Sequence, residues 1–541
     1  MSRIVSGFVV VLLMVTSCKD ANDLLDQTKV FKYNQPNVVT SLDPAFAKSQ
    51  NNMWVMNHVY NTLVSLNDSL EVVPSLAKSW NIDSEGKTYT FHLRDDVYFQ
   101  RDSCFQNSER TRKMVAADVA YSLTRLIDNQ LNSPGSWLFI DKVSGPEAFK
   151  VIDDTTFVLQ LNQPFIPTLG MLTMQYCSIV PKEAVAYYGD DFRSHPVGTG
   201  PYGFKRWIEN QSLFLERNPL YFDTLKRPSH SPDYIKTSFI PDKQIAALEL
   251  MNGKLDFMSG IESSFVNEFL DAEGHLKADK KEKITFIRTP YLNTEYIGIN
   301  QNLAQEHPAL RMKAFRQALN YALDRELMLS SLRNNVGLPA NAGFVPRGLP
   351  SFNDQNVKGY RFDLKLAKKL IEESEVDVRN MSPLVLNTNA EYLDLVTFVA
   401  KQWEAIGVKT KIELLDTGIL REGMRNSKLQ MFRASWIADY PDAESYLTVF
   451  YSKNPAPPNY TRFSNRVFDR LYEQAIREPD VDKRYQLYQQ MDKIIVDEAP
   501  VIFLFYDESS VFISNSLKGY TNNGLNMLNV NTLYKVGKSN N

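Results

Sequence analysis

Apolar residues in this chain recur with two periods that keep replacing one another, and this alternation constrains the fold more than any single motif. In "GKTYTFHL", Tyr89, Phe91 and Leu93 lie two apart, as on one face of a half-buried strand after a Ser-Glu-Gly turn. "TTFVLQL" repeats the pattern at Phe157, Leu159 and Leu161, as a partner strand would. Between them "VAADVAYSLTRLID" reads as a helix, and earlier "NNMWVMNHVYNTLVSL" carries Val55, Val59 and Leu63 at helical spacing behind a turn at Asp43-Pro44. Further on, "DYIKTSFIPDKQIAALELMNGKLDFMSG" reads as strand, helix, a stop at Gly253 and a short strand. A chain that alternates in this way builds a mixed α/β fold.

The second half keeps the alternation. "TPYLNTEYIGINQN" is strand-like. In "HPALRMKAFRQALNYALDRELMLSSL" Pro308 opens a helix, Phe315, Leu319 and Ala322 form its apolar face, and Asp324 is placed to cap a second helix. "LVTFVAKQWEAIGVKTKIELLD" gives a helix ending at Gly407 and a strand through Val408, Ile412 and Leu414. A helix over "KRYQLYQQMDKIIVDEA" precedes the strand "PVIFLFY", which has no obvious partner nearby in sequence. At 541 residues without a fixed-period repeat, two large lobes are expected.

"HPVGTGPYGFKRW" holds Gly198, Gly200 and Gly203, a literal G-x-G-x-x-G. A dinucleotide cradle needs a buried strand before these glycines and a helix after them. Upstream lies the polar, Pro196-interrupted "YYGDDFRSHPV"; downstream, Tyr202, Phe204, Leu213 and Leu215 alternate about a turn at "ENQ". The glycines therefore serve a tight loop leading into a hairpin.

Charge argues against a nucleic-acid partner: 60 basic residues face 63 acidic ones, a net charge of −3. The opening "MSRIVSGFVVVLLMVTSC" has Arg3 before a short apolar run from Phe8 to Val15, too short to span a bilayer, and then Thr16 and Ser17 before Cys18. This resembles a bacterial lipoprotein signal cleaved before an acylated Cys18, with "KDANDLLDQTK" as a tether. No later segment is apolar enough to cross a membrane. Export would place Cys104 and Cys177 in an oxidising compartment, where they either bridge or stay as buried thiols; a disulfide is the expectation.

Chemistry is sparse. The six histidines, His58, His92, His195, His230, His275 and His307, form no metal-ligand spacing, and neither a nucleophile elbow nor a phosphate loop occurs. No catalytic residue, metal or cofactor is assigned. One segment stands apart, "LQMFRASWIADYPDAESYL": Met431 to Ile437 reads as a buried strand ending in a turn. Asp442 is placed to cap a following helix, whereas Asp439, a carboxylate at the end of an apolar, aromatic strand, is placed to face a cleft.

Taken in order, "SLDPAFA", "HVYNTLVSLNDSLEVVPSLAKSWNIDSEGKTYTFHLRDDVYF", "AADVAYSLTRL", "PVGTGPYGFKRW", "ERNPLYF", "FRQALNYALDRE", "SWIADYPDAESYL" and "DEAPVIFLFY" resemble a family 5 extracellular solute-binding protein, the receptor of a peptide or nickel ABC importer, over nearly the whole mature chain. The sequence departs from the family at "VYFQRDSCFQNSERTRKMVAADV", where a longer loop containing Cys104 replaces a short turn. The resemblance implies a two-lobed periplasmic-binding-protein-like fold of class II type with an extra domain in the first lobe. Residues 1–17 would be the signal peptide and 18–30 the lipidated tether. The first lobe would comprise 31–60, 191–288 and 499–541, with 61–190 as its extra domain, and 289–498 would form the second lobe.

The function implied is capture of di- or oligopeptides in the interlobe cleft and delivery to ABC permease subunits, by a monomer attached to a membrane only through its lipid and facing the periplasm or cell surface. A peptide would bind as an added strand on the backbone of Ser435 and Ile437, with Trp436 walling the cleft and Asp439 pairing with the free amino group. Relatives that bind nickel complexes, haem or sugars keep a non-peptide solute open. An enzyme or a surface lipoprotein without a transport role on the same scaffold is the remaining alternative.

Overall fold

The computed structural model describes residues 26–536 except 225–227, 229, 261–264 and 304–306. The expected signal peptide and Cys18 lie outside the described residues. One 11-stranded mixed sheet organises the chain. From one edge its strands run Thr410–Leu414, Leu384–Thr388, Met431–Ile437, Ile284–Ile299, Val501–Ser514, Phe257–Ser259, Val30–Asn34, Tyr234–Ser238, Ser212–Arg217 and Tyr202–Ile208, and the short Leu338–Pro339 joins Val501–Ser514.

Two long antiparallel strands, Ile284–Ile299 and Val501–Ser514, hold this sheet together. Their ladder runs from Ile284 opposite Ser514 to Pro290 opposite Glu508, shifts register, and resumes from Thr294 opposite Tyr506. The early stretch neighbours Phe257–Ser259 through Val511 to Ile513, while the late stretch neighbours Met431–Ile437. The strand-like reading of "TPYLNTEYIGINQN" found only the late stretch, because Pro290 interrupts the pattern. The structure accommodates Pro290 at the register shift, where a missing N–H costs the ladder least. The late stretch is covered on both faces: Tyr296, Phe432 and Phe503 lie in one apolar cluster, and Ile297, Met431 and Ile502 in another. The period of two in all three strands assigns these residues to opposite faces.

A separate four-stranded antiparallel sheet orders Ala77–Ile82, Thr88–Leu93, Thr156–Gln160 and Phe149–Asp153, so the two alternating segments read from the sequence are indeed neighbours. The glycine loop enters the hairpin Tyr202–Ile208 and Ser212–Arg217. Its glycines answer to close backbone approach: a Cβ on Gly198 would stand 2.2 Å from the Val59 carbonyl oxygen, and one on Gly200 2.5 Å from the Val59 carbonyl carbon. Gln100 ties the crossing, donating to the carbonyls of Val59 at 3.0 Å and Tyr202 at 2.7 Å.

The expected disulfide is not formed. Cys104 and Cys177 are both free and buried. The inserted loop is tied by polar contacts instead: Tyr188 donates to Asp102, 3.0 Å from each carboxylate oxygen, and Asp102 accepts the Cys104 N–H at 2.8 Å. Arg112 bridges Asp118 and Glu183 at 2.7 and 2.6 Å while its guanidinium lies over Phe99 and Phe105. Cys177 sits in a 3-10 turn, Gln175–Cys177, with its sulfur 3.8 Å from the Met171 carbonyl oxygen.

Candidate ligand-binding site

Met431–Ile437 pairs along its full length with Ile284–Ile299, from Met431 opposite Ile299 to Ile437 opposite Asn293. On its other side it pairs with Leu384–Thr388 only at Met431 and Phe432. From Arg433 onward that second edge has no strand partner among the described residues. An open strand edge is the backbone geometry to which an extended chain adds. Ser435 and Ile437 share the face of Arg433, with Ser435 half-buried and Ile437 46% exposed. Trp436 points to the opposite face and packs against the cluster containing Phe344 and Tyr446, its indole N–H donating to the Ser445 carbonyl at 2.6 Å.

The turn beyond this strand holds Asp439. Its backbone N–H donates to Ser445 Oγ at 3.0 Å, which fixes where the residue leaves the strand. The side chain is open to solvent at the turn, yet protein surrounds it closely enough that its anion is poorly solvated. That desolvation, with a smaller push from the Glu444 charge, raises its pKa to about 7. Among the described residues no cation pairs with it. Tyr176 lies within its field, the phenol pushed up to about 12 by burial and then by the Asp439 charge. A Cβ on Gly170 would lie 3.7 Å from Tyr440, and Tyr440 belongs to the same apolar cluster as Met171 and Tyr176. Asp439 therefore sits where the 166–177 segment meets the 436–446 segment.

Its neighbours are structural. Asp442 accepts the Glu444 N–H at 2.9 Å, but Ala443, not Asp442 as the sequence suggests, takes the N-cap of helix Glu444–Leu447, so the carboxylate holds the turn just before the helix. Glu444 is buried and accepts hydrogen bonds from the phenols of Tyr440 and Tyr472.

Sequence reading missed a second polar group on the Ser435 face. Glu295 and Arg433 form a buried ion pair across the two strands. Asn293 donates to the other Glu295 oxygen at 3.1 Å, and Arg333 pairs with Asp507 at 2.6 Å. The Arg433 guanidinium lies 3.1 Å from the ring centroid of Tyr392. The available signal was a charged residue at an inward position of each strand, Glu295 in "NTEYIGI" and Arg433 in "MFRASWI". No group of three or more histidines, cysteines or carboxylates among the described residues is arranged to hold a metal. Burial pushes the pKa of His58 down to about 3, so it stays neutral.

Residues 71–458 match the family model described as bacterial extracellular solute-binding proteins, family 5 Middle. The chain is 27% identical over 485 residues to the dipeptide-binding protein of Escherichia coli (strain K12), spanning 85% of this chain and 86% of that protein. It is 28% identical over 483 residues to heme-binding protein A of Haemophilus influenzae, spanning 85% and 84%. Among solved structures, the ABC transporter-associated periplasmic binding protein DppA from Helicobacter pylori in complex with peptide STSA aligns with a TM-score of 0.77 at 25% identity, covering 94% of this chain and 98% of that one. The likeness extends to the two-lobed binding-protein architecture as a whole. By its fold and by a family match over most of its length, the chain belongs to the family 5 bacterial extracellular solute-binding proteins.

Proposed function

We propose that this protein captures di- or oligopeptides between its lobes and delivers them to the permease of an ABC importer. Its family consists of binding proteins for transport, not enzymes. The observation that carries the peptide reading is the edge of Met431–Ile437, open among the described residues, followed by Asp439, a carboxylate that no described cation pairs with. Ser435 and Ile437 would offer backbone groups to an added strand, and Asp439 would take the ligand's ammonium. Trp436 would wall the cleft at the strand end. The names of relatives support this reading, since one binds a dipeptide and one structure contains a peptide.

The lobes are proposed to divide as the sequence suggests, 31–60 and 191–288 with the extra domain 61–190 against 289–498. The register shift between Pro290 and Thr294 supports a hinge near 289. The return to the first lobe over 499–541 is supported by the pairing of Val511 to Ile513 with Phe257–Ser259. Acylated Cys18 would attach a monomer to the membrane surface. No helix among the described residues is long and apolar enough to cross it.

Calorimetry tests the reading with free and N-acetylated peptides on the wild type and on Asp439→Asn. Either change should weaken binding about a hundredfold or more, and the two losses should not add. Equal affinity of free and acetylated peptides for the wild type would refute it. Retention of hemin but of no peptide would favour the ligand named for the Haemophilus influenzae relative.

A further inference from the structure

The inward face of Met431–Ile437 changes character along its length. Met431 and Ile297 are fully buried among apolar side chains. Two residues on, the same face carries Arg433 and Glu295, then Ser435, Asn293 and Ile437. Arg433 is 9% exposed and Glu295 3%, and each is the other's ion-pair partner. Asn293 links this pair to the next one, reaching Asp507 Oδ2 at 3.5 Å, and Asp507 is held by Arg333. The two arginines at this end of the strand are thus already matched by the protein's own carboxylates. Asp439 is not.

Resting on the reading of this cleft as a peptide site, we propose that it recognises a single charge of its ligand, the ammonium, and takes peptides whose carboxyl end is blocked or runs on as readily as those ending in a free carboxylate. Glu295 is the specificity-determining residue, because it stands where a ligand carboxylate would neutralise Arg433. For Arg433 to turn to a ligand, Glu295 would be left buried and uncompensated, which disfavours the exchange. With the pair closed, Arg433 Nε and Asn293 Oδ1 are buried without a hydrogen-bond partner among the described residues, and neither presents a free charge to the end of a ligand.

The test offers the wild-type protein a randomised tetrapeptide pool made once with free carboxyl ends and once with amide ends, and quantifies retained peptide by mass spectrometry. Retention of the two pools should agree within about threefold, and Glu295→Gln, which frees Arg433, should shift it toward the free-carboxyl pool by about tenfold or more. A larger wild-type preference for the free-carboxyl pool overturns the inference while the peptide reading stands. So does an unshifted preference in Glu295→Gln protein shown by circular dichroism to be folded. Should that variant not fold, the wild-type comparison decides alone. Retention of neither pool overturns both readings.

Discussion

Ile166 donates its backbone N–H to the carbonyl of Ile476 across 2.9 Å, joining the proposed extra domain to the far side of the proposed cleft. Arg477 reinforces the contact by donating to Gln163 at 2.7 Å, and Tyr440 lies against Gly170 in the apolar cluster that also holds Met171 and Tyr176. Tyr440 is buried, at 4% exposure. Tyr440→Ala removes its ring and the hydrogen bond to Glu444 together, so a loss of about 3–5 kcal/mol in urea unfolding is expected. Ligand dissociation should also accelerate, whereas Arg477→Ala, an exposed change, should alter stability by less than about 1 kcal/mol. Comparing the two variants by stopped-flow release and urea titration separates closure from surface charge.

The pH dependence of ligand affinity follows from Asp439. Its pKa in the free protein is raised to about 7, so below that pH the site is mostly protonated and an arriving ammonium must expel the proton. Affinity should rise with pH up to about 7, then level off until the peptide amine itself deprotonates near 8. Calorimetry near pH 6 in buffers of different ionisation enthalpy should register proton release. Asp439→Asn should abolish both the release and the rising limb.

Asp492 offers a stability test remote from the ligand. It is buried on helix Val481–Glu498, accepts the N–H groups of Phe344 at 2.6 Å and Val345 at 3.3 Å, and burial raises its pKa to about 7. A carboxyl group whose pKa is higher folded than unfolded holds its proton more tightly in the native state. Its effect is therefore a loss of stability as pH rises from about 4 to 7, and a constant penalty above that. Asp492→Asn keeps an acceptor for Phe344 and has no charge to bury. It should unfold like the wild type near pH 4 and be more stable by about 1–3 kcal/mol at pH 8, read from urea midpoints.

Both thiols should be chemically silent in the native protein. Burial pushes Cys104 and Cys177 well above the usual thiol range, which suppresses the reactive thiolate. A maleimide should label neither cysteine in the folded protein and both after denaturation without reductant. A denatured, unreduced chain that takes up no label would restore the disulfide.

What could be read from the sequence was whatever repeats over a few residues. The strand Met431–Ile437 has the bounds its apolar run implies, Asp324 caps helix Arg325–Arg333 by accepting the Leu327 N–H at 2.9 Å, and the hairpin behind Gly203 turns at "ENQ". Asp439 stood out because a carboxylate ends an aromatic strand. Glu295 and Arg433 did not, because each looks like a solvated charge until the register sets Glu295 beside Ser435. The cysteines misled for the same reason: two thiols in one domain permit a bridge, but packing decides where each sulfur points. Gly200 was legible as a tight turn, but not as a residue pressed on Val59.

The two strands at the centre of the sheet carry a consequence for how the molecule comes into being. Thr289 lies opposite Ser509, 220 residues later in the chain. No shorter loop can complete that ladder, so the central pairing waits until nearly all of the polypeptide is available, and such long closures are slow. A chain destined to work outside the cell has use for that delay. Until Val501–Ser514 arrives the large sheet has no finished centre to unravel, and the step that completes the receptor is the one that also commits it to staying folded on the far side.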